Sequence, residues 1–88
     1  MEYKRKYIDI NSDPKKWHPD WEQNDFAWAV EQLETIPREK LIMVCKSPNI
    51  NLTFYDKNWE KTTPDEQIII ALLTDYSPYT LVSVLKQI

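Results

Sequence analysis

The stretch KLIMVCKSPNINLTFYDK, residues 40–57, decides the fold class of this 88-residue chain. Two apolar runs, one ending at Cys45 and one spanning Ile50 to Tyr55, flank the turn signal Ser47-Pro48-Asn49. Runs rich in β-branched and aromatic residues on either side of a short turn read as two strands joined by a hairpin loop. In the second run Leu52 and Phe54 fall on one side, with Thr53 and Tyr55 on the other. That is the period-2 alternation of a half-buried strand.

Outward from this hairpin, residues 3–10 (YKRKYIDI) read as a further strand, with Ile8 and Ile10 on one face and Tyr7 on the other. Residues 11–20 (NSDPKKWHPD) hold two prolines, Asn, Ser and two Asp, and form a turn-rich connection. From Asp20 the pattern turns helical. Asp20 and Gln23 have capping-box spacing, and Phe26, Ala29, Val30, Leu33 and Ile36 recur as one apolar stripe before Pro37 stops the helix. Thr63-Pro64-Asp65-Glu66 opens a second helix running to about Asp75. After it, Ser77-Pro78 repeats the cap-and-proline start, and Leu81, Val84, Leu85 and Ile88 fall at helical spacing. The same residues also alternate acceptably as a strand, although the helical start favours a helix.

The expected fold is therefore α+β: a small antiparallel sheet of about three strands with two to three helices on one face. It becomes the ferredoxin-like arrangement if residues 79–87 form a strand. Eighty-eight residues suffice for one modest core, so residues 1–88 are read as a single domain.

Composition narrows the chemistry. The chain has no glycine, which removes phosphate-cradling loops and dinucleotide fingerprints. One cysteine, Cys45, rules out an internal disulfide and suggests a reducing compartment. With His18 it falls short of the usual zinc ligand sets, and its place in an apolar run marks it as a buried structural thiol. No apolar run approaches the ~20 residues that cross a bilayer, and no secretory signal is evident, so the expected location is cytoplasmic. Acids are plentiful, but no spacing singles out a catalytic pair, and neither enzymatic activity nor a cofactor is expected.

Residues 71–86, ALLTDYSPYTLVSVLK, resemble the helix-turn-helix motif of bacterial repressors. Ala71 matches the small residue of the first helix, Asp75 stands where that family usually has glycine, and Tyr76 fills the apolar turn position. Leu81 and Val84 match the inner face of the second helix. The resemblance implies a DNA-facing set of Ser77, Pro78, Tyr79, Val82, Ser83 and Lys86. That set offers one cation, and residues 63–88 carry one Lys against three acids, so this tail should repel a phosphate backbone.

Charge is segregated along the chain. Residues 1–16 and 38–62 each carry five Lys or Arg against three acids, whereas residues 17–37 carry five acids and no Lys or Arg. On a helical wheel, Trp21 and Trp28 fall opposite the apolar stripe, beside Asp25, Glu31 and Gln32. Aromatic anchors bordered by carboxylates suit a docking surface that steers a basic partner. The plainer alternatives are that the preceding loop folds over these indoles, or that the face makes a homodimer. The expectation is a small acidic inhibitor of the immunity-protein or phage-antagonist type. It would occlude a basic protein, such as a nuclease or other nucleic-acid-handling enzyme, through Trp21, Asp25, Trp28, Glu31 and Gln32. The alternative is a nucleic-acid-binding regulator using the C-terminal segment.

Overall fold

Proline fixes φ near −65°, lacks a backbone donor and pushes the residue before it to extended angles, so it suits a helix start. This chain uses it that way four times: Pro14, Pro37, Pro64 and Pro78 each cap or open a helical segment. The residues before three of them, Ile36, Thr63 and Ser77, have ψ of 149°, 126° and 150°. The result is a series of helices broken by sharp extended corners. The computed structural model describes residues 6–88, and its helices are α1 (Gln23–Thr35), α2 (Arg38–Lys46), α3 (Trp59–Thr62), α4 (Asp65–Asp75) and α5 (Pro78–Lys86), preceded by a 3-10 turn at Pro14–Lys16.

No strand occurs among the described residues, so the α+β expectation and its three-stranded sheet are incorrect. The decisive error lies in residues 40–46, which form most of α2. Leu41, Val44 and Cys45 are buried while Met43 is 60% exposed, which is burial at i, i+3 and i+4. Arg38, Glu39, Lys40, Leu41 and Met43 are all strong helix formers, and together they outweigh Ile42 and Val44. Residues 52–55 keep the expected alternation: Leu52 and Phe54 pack against the core, and Thr53 and Tyr55 are exposed. They have no partner strand. The Leu52 N–H donates to Cys45 O at 2.8 Å, and Asn51, at φ 51°, turns the chain in the left-handed region that Asn tolerates better than most residues.

Residues 6–10 are also not a strand, and the remainder of that proposed strand, residues 3–5, lies outside the described residues. Residues 78–86 are helical, so the ferredoxin-like arrangement does not arise. Two caps differ from expectation. Glu22, not Asp20, precedes α1 without a side-chain capping bond, and the Gln23 amide donates instead to Ile10 O. Thr63 gives way to Pro64 as the cap of α4. Ser77 does cap α5, its hydroxyl accepting from the Thr80 N–H at 3.3 Å.

The core is one contiguous cluster. α1 contributes Phe26, Ala29, Val30 and Leu33, and α4 contributes Ile68, Ile69, Leu72 and Leu73, all fully buried. α5 closes it with Leu81, Val84 and Leu85. α1 packs on both α4 and α5, and α2 packs on α4. This leaves the side of α1 bearing Asp25 and Glu31 facing outward.

Candidate functional site

The outward face of α1 can be built from the lead-in upward. The chain enters α1 through Trp17 and Trp21, which close on Phe26 from two sides. Trp17 stacks on it at 6.2 Å and 25°, and Trp21 meets it edge-on at 5.9 Å and 75°. Trp21 is fully buried, and its indole Nε1 donates to Leu73 O at 3.1 Å. It belongs to the core and presents no surface to a partner. The wheel that placed Trp21 beside Trp28 presumes a helix through residue 21, whereas α1 begins at Gln23.

Four of the five expected binding residues remain on α1. Asp25 and Glu31 are exposed, and Trp28 and Gln32 are half-buried. Their i, i+3, i+4 spacing sets them on one stripe. Trp28 leans on the core, and the Lys86 Nζ lies 5.9 Å from the centroid of its ring.

A groove of about 550 Å³ runs between the start of α1 and α5. One wall is formed by Asp20 and Asp25, and the other by Ser77, Pro78, Tyr79, Val82, Ser83 and Lys86. The second wall is the same six residues that the helix-turn-helix resemblance would turn toward DNA. Here they look across at two carboxylates. Tyr79 is 86% exposed on the rim. Asp20 is held at the loop corner, where its N–H donates to His18 Nδ1 at 3.2 Å, and its carboxylate stays open to solvent.

A second groove, of about 620 Å³, lies between residues 6–10 and Glu31 and Glu34 of α1. Glu34 is 5% exposed because its carboxylate accepts the backbone N–H groups of Tyr7 and of Ile8, the latter at 3.2 Å. This pins the N-terminal segment along α1 and buries Ile8. Glu34 therefore has a structural task, while Asp9 and Glu31 are the exposed carboxylates of that groove.

Cys45 is fully buried, and burial pushes its thiol up to about 11, so it offers no ready thiolate. Among the described residues, no group of three His, Cys, Asp or Glu is placed to hold a metal ion, and no helix is long and apolar enough to cross a membrane. Sequence reasoning missed that Asp20 and the face of α5 join the α1 surface. Both were visible as residues, but their meeting depends on α1 packing against α5. No protein-family model, curated protein or solved structure matches this chain.

Proposed function

We propose that this protein is a small binding module that occludes a basic partner protein through the outer face of α1 and the groove beside it. One observation carries the reading. The face of α5 that a helix-turn-helix would offer to phosphate is walled by Asp20 and Asp25, and further along α1 the half-buried Trp28 is followed by the exposed carboxylate of Glu31. Carboxylates around an aromatic anchor attract and orient a cationic surface, and the indole supplies buried contact area. A nuclease or another nucleic-acid-handling enzyme, with its positive cleft, is the class of partner this chemistry fits. The residues proposed to make contact are Asp25, Trp28, Glu31 and Gln32.

The second reading, a nucleic-acid-binding regulator, draws on the helix pair α4–α5 joined through Tyr76 and Ser77. Its proposed reading face holds one cation, Lys86, opposite two acids. That balance disfavours a phosphate backbone.

The test is capture of partners from the source cells by tagged protein, run beside the double variant Trp28→Ala/Glu31→Lys. A basic protein bound by the parent and lost by a variant with an unchanged circular dichroism spectrum supports the reading. Undiminished capture of the same protein by the folded variant refutes it. Inhibition of the captured partner's activity by the parent alone would establish occlusion.

A further inference from the structure

The α1–α5 groove joins three features that together suit one kind of side chain. It has two carboxylates, Asp20 and Asp25, an apolar lining at Pro78 and Val82, and the Tyr79 ring; the Trp28 indole, outside the lining, lies next to the groove beneath Lys86. Carboxylates pair with a cationic head, the apolar lining covers its methylene stem, and an indole face attracts the charge. The chain's own cation already sits there. The Lys86 ammonium stands 5.9 Å from the Trp28 centroid, near the outer limit of about 6 Å for such a contact. Lys86 forms no ion pair with any described residue, and Asp25 forms none either. The seat is thus held loosely by an exposed side chain on the last turn of α5.

We propose that this groove is the seat for an arginine side chain of a basic partner segment, and that Lys86 occupies it until the partner arrives. Arginine is favoured over lysine because its planar guanidinium stacks on an indole while its fork of donors reaches a carboxylate. Lys86 then swings outward on its flexible stem, and the exposed Tyr79 rim closes over the incoming chain. The inference rests on the binding reading above and names the chemistry of the group recognised.

The probe is a ten-residue peptide of alternating arginine and serine, titrated by calorimetry at low salt into the full chain. A glutamate–serine peptide serves as the control. The arginine peptide binds, and Lys86→Met, which keeps the stem and removes the competing charge, tightens binding about 3- to 10-fold. Lys40→Met on α2 changes the net charge equally but lies outside the groove lining, and it leaves the affinity within about twofold. Asp20→Asn/Asp25→Asn weakens binding by about tenfold. Equal tightening by Lys86→Met and Lys40→Met, or indifference to the two Asp→Asn changes, reduces the effect to diffuse attraction and overturns the seat. So does absence of peptide binding to both the parent and Lys86→Met. If captured partner binding is still lost in Trp28→Ala/Glu31→Lys while the groove variants bind normally, the seat fails and the docking function stands.

Discussion

Cys45 shows what burial does to one ionisable group. It is fully buried on α2, the helix that packs on α4, and desolvation raises its thiol from 9.0 to about 11, against smaller lowering effects of a backbone hydrogen bond and the Arg38 charge. In the unfolded chain the thiol ionises near its ordinary value. Between about pH 9 and 11 the unfolded chain has therefore lost a proton that the folded chain keeps, and rising pH favours unfolding. This contribution to stability is complete below pH 9 and lost as pH climbs through 11. Tyr76 acts in the same sense, raised by burial, then by Asp75 and Cys45. Urea midpoints measured from pH 7 to 11 should fall in the upper part of that range, and Cys45→Ala should flatten the fall. An unchanged slope in the variant would assign the fall to other groups.

Among the helices, caps are legible in the sequence, whereas apolar runs mislead. α4 and α5 were readable because Pro64 and Ser77-Pro78 are punctuation with one structural meaning. α1 was readable from its 3.6-residue stripe. α2 was not, because five consecutive apolar residues carry no period of their own, and a following alternating segment made a hairpin plausible. The arbitrating signal was Pro37-Arg38-Glu39-Lys40, a helix start ahead of the run. What places α2 is tertiary. The Arg38 guanidinium pairs with Asp65 at the start of α4 through Nη1, and Nη2 donates to Glu60 O of α3 at 2.9 Å. A cation in the first turn of a helix opposes the macrodipole, so these bonds must offset that cost. Lysine cannot reach both acceptors as a fork. Arg38→Lys should cost about 1 kcal/mol and Arg38→Ala about 1–3 kcal/mol in urea unfolding. A double-mutant cycle with Asp65→Asn should return a coupling of about 1 kcal/mol or more. Additivity would reduce the bridge to a surface pair.

For the whole molecule, the question is which indole serves the core and which the surface. Composition showed four tryptophans in 88 residues, and the acid-rich segment around two of them was plain in the sequence. Their separation was not, because it depends on the lead-in turning at His18–Trp21, where the Trp21 N–H donates to His18 O at 3.1 Å. That turn drives Trp21 inward to the end of α4. The last four carbonyls of a helix lack intrahelical donors, and Leu73 is one of these in α4. The Trp21 indole satisfies it across 52 residues of sequence, so one side chain caps a helix and joins the start of α1 to the α4–α5 corner. Trp21→Phe keeps a ring against Phe26 but leaves the buried Leu73 carbonyl without its donor, at a cost of about 1–3 kcal/mol. Trp21→Ala adds a cavity and should cost about 3–5 kcal/mol. At roughly 4–8 °C per kcal/mol for a domain this small, the phenylalanine variant should melt about 5–20 °C lower. Because Trp21 presents no surface, that variant should still bind a basic partner with parental affinity at temperatures where it is folded. Lost affinity in a folded Trp21→Phe protein would mean that docking reaches the interior, and the division between a core indole and a surface indole would have to be abandoned.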